Sequence, residues 1–197
     1  MLATFVAVIA GYLLGSVPVA VLACRAHGFD PRETGDRNPG FWNVKERLGA
    51  RAAVPVFAGD MAKGALAGLV GLLAGGAHVT ALGAVAEASA VPAYAAVAAA
   101  MVGHAWPVFA GFRGGRSILT FAGGFAVLCP PAFALGLVLL VAVSRARSFA
   151  VGTRVAVFAL PVLQALFAPL ALVAATGALM CLIGLRFGQA AVAERRA

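Results

Sequence analysis

The sequence predicts an all-α, polytopic integral membrane bundle of about seven transmembrane helices, with the N-terminus outside. Composition points there first: 62% of the 197 residues are apolar and only 11% are charged, well beyond the roughly half apolar content of a soluble domain. Second, every Lys and Arg except Lys63 falls into one of four clusters, at 25–51, 113–116, 145–154 and 186–196, with almost wholly apolar sequence between them. Third, prolines interrupt the later apolar stretches near their middles. Basic loops collect on the cytoplasmic side, so each apolar stretch between two clusters must cross an even number of times.

That parity assigns the elements in order. A crossing needs about 20 residues, and residues 2–24 supply the first. They carry no basic leader, so the segment is expected to be a retained span rather than a cleaved signal. Residues 53–76 and 91–110 supply the second and third. The segment 77–90 between them holds His78 and Glu87 but no Lys or Arg, which puts it outside. Residues 117–144 are too few for two full-length helices, yet parity asks for two crossings or none. Pro130 and Pro131 divide the stretch, because proline removes a donor and clashes with the preceding turn, so a hairpin of two short helices is expected over 118–143. Residues 155–167 and 170–185, divided by Pro169, make a second hairpin. A single domain covers 1–197, and the C-terminus lies inside.

The net charge of +8 would suggest nucleic acid in a soluble domain, but no basic run is interleaved with stacking aromatics, so nucleic acid is not expected as a partner. Cys24, Cys129 and Cys181 have no CxxC spacing and no paired His, and read as packing residues. No metal and no cofactor are expected.

The polar loops carry the candidate chemistry. The first runs from Gly28 to Asn43 and leads into a basic helical stretch; Gly35 and Gly40 permit close backbone approach, and Asn38 and Asn43 offer amides to a polar ligand. Asp60 and Lys63, three apart in the second span, share a helix face. Charges at membrane depth cost on the order of 3 kcal/mol each and face a wet cavity or each other. Here they read either as a self-satisfied anchor or as a source of positive potential for a site. The second loop, Gly103 to Ser117, places Gly114 and Gly115 before Arg116 at a helix start, where free N–H groups and the dipole attract phosphate. It is not a Walker pattern. His104 reads as a hydrogen-bonded orienter, with no second ligand at metal spacing. Ser144, Arg145, Arg147 and Ser148 form the third loop, which could equally be a plain topogenic cluster.

Together these segments resemble the PlsY-type acyl-phosphate:glycerol-3-phosphate acyltransferases of bacteria. The residues that carry the resemblance are Gly15-Ser16-Val17-Pro18, the loop from Arg32-Glu33 to Asn43, Asp60-x-x-Lys63-Gly64, Gly103-His104 with Pro107-Val108-Phe109 and Phe112 to Arg116, then Ser144-Arg145 with Ser148. The resemblance implies seven transmembrane helices with an outside N-terminus. It also implies transfer of a fatty acyl group from acyl phosphate to the sn-1 hydroxyl of glycerol 3-phosphate in phospholipid synthesis. The chain would then sit in the bacterial inner membrane, in contact with lipid, with its active site facing the cytoplasm. By the same resemblance, Arg116, Asn43 and Ser148 would be catalytic, and Asn38, Gly40, Lys63, His104, Gly114, Gly115 and Arg145 would bind substrate. The donor's phosphate would accept the hydroxyl proton.

Three positions depart from the family pattern. Arg116 occupies the family's lysine position. Asp36 stands for a serine, setting an anion where anionic substrates approach, with Arg37 as its expected partial offset. The tail reads Arg186-Phe187-Gly188-Gln189 in place of a His-Arg-Glu-Asn run. An alternative is a divergent paralogue that binds a phosphate or lipid headgroup at the inner leaflet without acyl transfer, or with another acceptor. A small anion transporter is a third reading, disfavoured because the outer segment has no cation to receive an anion.

Overall fold

The computed structural model describes residues 1–195; Arg196, the last member of the fourth basic cluster, lies outside them. Nine α-helices form among the described residues: α1 (Leu2–Gly15), α2 (Val19–Arg25), α3 (Phe41–Leu48), α4 (Ala50–Ala74), α5 (Glu87–Ala105), α6 (Ile118–Leu128), α7 (Pro130–Ala146), α8 (Phe149–Gln164) and α9 (Leu170–Glu194). The chain is an integral membrane helical bundle. Four segments, Leu2–Arg25, Ala50–Ala74, Glu87–Ala110 and Leu170–Ala193, are each long and apolar enough to cross a membrane, while α6, α7 and α8 are shorter apolar helices. With α1 and α2 counted as one pass, this gives the expected seven segments.

The boundaries differ from expectation in instructive ways. The first pass is not continuous: it breaks at Ser16 to Pro18, where Pro18 has no N–H to continue the helix. The break frees the Val17 carbonyl, which accepts from Val19 N at 3.0 Å and from Lys63 Nζ at 3.3 Å. The third pass starts at Glu87, so the last residues assigned to the outer loop are helical; a carboxylate in the first turn suits the helix dipole. The 118–143 hairpin forms, but its corner is Cys129 and Pro130 opens α7 at the first helical position. There the missing N–H costs nothing. The third basic loop shrinks to Arg147 and Ser148, since α7 runs through Arg145 and α8 contains Arg154.

The passes pack through small residues. Gly11 and Gly15 of α1 lie on the backbone of Ala96 and Ala100 in α5, and Gly103 of α5 lies on Tyr12 in return. Gly64 of α4 faces the Thr120 carbonyl of α6, and Gly123 of α6 faces Met61 of α4. Lipid chains are as apolar as the side chains, so close backbone approach replaces hydrophobic exclusion as the source of helix association. A Cβ at Gly64 would run into the Thr120 backbone, which cannot rotate away. Gly64→Val is expected to destabilise the bundle by about 3 kcal/mol, the upper end for overpacking. The unfolding midpoint in detergent measures it, and a wild-type midpoint would contradict the α4–α6 contact.

Both ends of the bundle are defined by contacts between segments distant in sequence. At one end, Val85 N donates to Leu128 O at 2.9 Å, joining the outer segment to the α6–α7 corner. At the other, Trp42 of α3 stacks on Phe149 at the start of α8 with centroids 6.2 Å apart, and Phe41 meets Phe57 of α4 edge-on at 5.5 Å. Arg186 of α9 reaches the second loop there too. The basic connections therefore gather at a single end.

Candidate functional site

A small, partly open hollow lies at that basic end, walled by the α1–α2 break, α4, the end of α5 and the second loop. Its polar lining is Asp60, Lys63, His104 and Arg113, and Gly114, Gly115 and Pro39 supply close backbone. Asp60, Lys63 and His104 are all buried. The Asp60 Oδ1 atom receives Lys63 Nζ at 2.9 Å and faces His104 Nδ1 at 3.5 Å. The i,i+3 spacing thus becomes an ion pair, and α5 adds His104 to it. The pair is both partnered and placed at a cavity wall, so the two readings of the sequence are not exclusive.

The second loop descends into the bundle rather than capping it. Gly115 N donates to His104 O at 3.1 Å, and Ser117 Oγ donates to Met101 O at 2.8 Å, so the chain runs back along the last turn of α5 before α6 begins. Gly114 must be glycine because a Cβ there would strike the His104 carbonyl and the Pro107 ring. A Cβ at Gly115 would collide with His104 Nε2 and sit 3.1 Å from Asn38 Oδ1. Glycine at 115 therefore lets the imidazole, the first-loop amide and the turn converge.

The first loop is tied to the second by polar bonds. Arg32 Nη1 donates to Ala110 O at 2.9 Å, Arg113 Nη2 meets Glu33 Oε1 at 2.6 Å, and Arg116 Nη1 meets Asp36 Oδ2 at 3.1 Å. Asp30, whose Oδ1 accepts from Arg32 Nε and whose Oδ2 accepts from Arg32 Nη2, is held down to about 2 from an ordinary 3.8, chiefly by that hydrogen bonding. The Asp30–Arg32 unit therefore stays ionised well into acid. Asp36 is partnered by Arg116, from the other loop, and not by Arg37, whose backbone occupies the left-handed region at φ 54.

The candidate residues fall into three groups. Lys63, His104, Gly114 and Gly115 line the hollow; Asn38 packs against Gly115 and Arg116 follows it, paired with Asp36, without lining the hollow themselves. Gly40 precedes α3 in extended backbone, and Asn43, almost fully buried, has turned its amide inward: Nδ2 contacts Pro31 O at 2.9 Å, Thr34 O at 2.9 Å and Asn38 O at 3.2 Å. Asn43 here is the staple that shapes the first loop. Arg145 is exposed in the last turn of α7, and Ser148 caps α8 by accepting from Val151 N at 3.3 Å. Neither lines the hollow. Asn43→Ala would leave those carbonyls unpaired at about 1–3 kcal/mol, so faster amide exchange across residues 30–40 is the expected outcome.

Arg186 had no assigned role in the sequence. Its Nε donates to Gly115 O at 3.1 Å and its Nη2 to Gly114 O at 2.9 Å, and the guanidinium lies 5.0 Å from the Trp106 ring centroid. The neighbouring Phe187 ring lies 4.6 Å from the Arg116 guanidinium. In the sequence Arg186 reads only as the first member of the fourth basic cluster, nine residues before the next arginine.

The chain is similar to known proteins in part of its sequence and in its fold. The Glycerol-3-phosphate acyltransferase from Shewanella oneidensis is 50% identical over 64 residues, which is 32% of this chain and 32% of that protein. The Glycerol-3-phosphate acyltransferase from Exiguobacterium sibiricum is 48% identical over 63 residues, 32% of this chain and 31% of that one. The aligned part thus spans about a third of the length of these curated relatives. The crystal structure of PlsY (YgiH), an integral membrane glycerol 3-phosphate acyltransferase, in its glycerol 3-phosphate form, superposes with a TM-score of 0.76 at 23% identity, over 94% of this chain and 88% of that one. The lysophosphatidic acid form gives 0.72, again at 23% identity, over 93% and 87%. These superpositions show a shared fold. The family model described as Glycerol-3-phosphate acyltransferase matches residues 5–192, nearly the whole chain, and the protein belongs to that family.

Proposed function

We propose that this chain transfers a fatty acyl group from acyl phosphate to the sn-1 hydroxyl of glycerol 3-phosphate, at the cytoplasmic face of the bacterial inner membrane. The observation that carries the reading is the convergence of Lys63, His104, Arg113 and the Gly114–Gly115 turn on one hollow at the basic end of a membrane bundle. Both reactants carry phosphate, and the donor also carries an acyl chain that must stay in lipid. A cationic recess at the lipid boundary suits both demands.

Acyl phosphate is a mixed anhydride and needs no covalent enzyme intermediate. The sn-1 oxygen attacks the acyl carbonyl carbon, the bond from that carbon to the phosphate oxygen breaks, and phosphate leaves with the electron pair. The hydroxyl proton passes to the departing phosphate. The protein's share is to hold two anions side by side and aim the hydroxyl, which is catalysis by positioning and electrostatics. Lys63 and Arg113, each beside a carboxylate partner, bring cationic groups to the substrates' phosphates, Arg116 adds a planar fork, and the glycines closeness.

One observation favours the second reading, a paralogue that binds phosphate without acyl transfer: Asp36 already occupies one edge of Arg116. Purified protein in lipid, supplied with acyl phosphate and labelled glycerol 3-phosphate, separates the two. Labelled lysophosphatidate that requires acyl phosphate is the expected result. Bound glycerol 3-phosphate with no product would establish the second reading instead.

A further inference from the structure

We propose that Arg186 is a positioning residue, which clamps the Gly114–Gly115 turn in the conformation that receives phosphate; the inference rests on the functional reading above. Two successive glycines have the widest conformational freedom of any dipeptide, so a phosphate-holding turn built from them needs an external restraint. Arg186 provides it from a helix about 70 residues further along the chain. Its Nε takes the Gly115 carbonyl at 3.1 Å and its Nη2 the Gly114 carbonyl at 2.9 Å. The guanidinium is itself fixed, by Nη1 donating to Gln189 Oε1 at 2.8 Å and by the Trp106 ring behind it.

The geometry has a consequence for the donors of the turn. In a trans peptide the N–H points opposite to its carbonyl. Holding the Gly114 carbonyl therefore aims Gly115 N–H, which donates to His104 O at 3.1 Å. Holding the Gly115 carbonyl aims Arg116 N–H, which meets no acceptor among the described residues. The next residue of α9, Phe187, lies under the Arg116 guanidinium at 4.6 Å. One short stretch of α9 thus orients both the backbone and the side chain of the turn. Lysine cannot replace this function, because an ammonium is a point charge without a planar fork.

The test uses full-length protein in lipid nanodiscs and compares wild type with Arg186→Lys and Gln189→Ala. Arg186→Lys keeps the charge and removes the fork; Gln189→Ala leaves Arg186 but loosens it. For Arg186→Lys the expected result is a KM for glycerol 3-phosphate raised about tenfold, with kcat changed less than threefold. Amide exchange across residues 107–117 should accelerate about tenfold. Gln189→Ala should shift both in the same direction by about threefold, which covers the case in which Arg186→Lys fails to fold. Wild-type KM and wild-type exchange in the variants would overturn the proposal. If the wild type forms no product, the functional reading fails separately, and inorganic phosphate becomes the probe. Phosphate binding weakened about tenfold in Arg186→Lys, with faster exchange, still supports the clamp. A wild type that binds no phosphate, or variants that bind it equally well, overturns it.

Discussion

Lys63→Met is expected to lower lysophosphatidate formation at least a hundredfold and to destabilise the protein by about 3 kcal/mol. The second figure follows from the pair it breaks. Removing one partner of a buried ion pair costs about 3–5 kcal/mol, because the other charge is left without compensation. Asp60 would keep only the His104 contact, at 3.5 Å. The Val17 carbonyl at the α1–α2 break would also lose Lys63 Nζ. The loss of activity has a different origin: it follows from removing a cation in the cavity wall. The two effects separate in Asp60→Asn combined with Lys63→Met, which removes both charges. Deleting a whole buried pair is often close to neutral, so the double variant is expected to recover most of the unfolding midpoint and none of the activity. Recovery of both would reduce the pair to a helix anchor.

The pair was legible in the sequence because its logic is local. Two charges three residues apart in an apolar helix must share a face, and membrane depth leaves them few choices. The same holds for the α6–α7 corner, where Pro130 fixes the break, and for Pro169, which precedes α9. The Gly114–Gly115 turn was visible as a motif, since the glycines and the arginine that follow are adjacent.

Other parts of the site were not legible, and their common property is sequence distance. The partner of Asp36 is Arg116, across two passes of the bundle, rather than its neighbour Arg37. Which arginine wins depends on how deeply the second loop descends, which is set by Ser117 on Met101 O and Gly115 on His104 O. Asn43 presents a free amide in the sequence, yet in the fold three carbonyls of its own loop take it. Local turn chemistry takes its donor nitrogen, while its Oδ1 is buried without a hydrogen-bond partner among the described residues. Arg186 looked like one more topogenic charge because its two acceptors in the second loop are backbone carbonyls, which leave no mark in a sequence.

Arg116→Ala is expected to reduce kcat/KM for glycerol 3-phosphate by about a hundredfold, the scale for deleting one preorganised charge or donor at a reacting centre. The guanidinium offers five N–H donors, of which one faces Asp36 Oδ2 at 3.1 Å, and its flat face lies on Phe187 at 4.6 Å. Its other N–H groups have no acceptor among the described residues, but its charge is already shared with a carboxylate. Asp36 then acts as a competitor in place, and the substrate must out-compete it. From this follows a result of opposite sign: Asp36→Asn keeps a side chain of the same shape, removes the competing charge, and should lower KM for glycerol 3-phosphate by about three- to tenfold, since charge-assisted bonds are roughly twice as strong as neutral ones. The KM difference between the variants should also shrink at high salt, because the pair lies near the surface and is screened. Initial rates across a range of glycerol 3-phosphate and salt concentrations measure both. If Asp36→Asn instead raised KM as Arg116→Ala does, the ion pair would be a latch that builds the site, and the first loop rather than the guanidinium would be what holds the substrate.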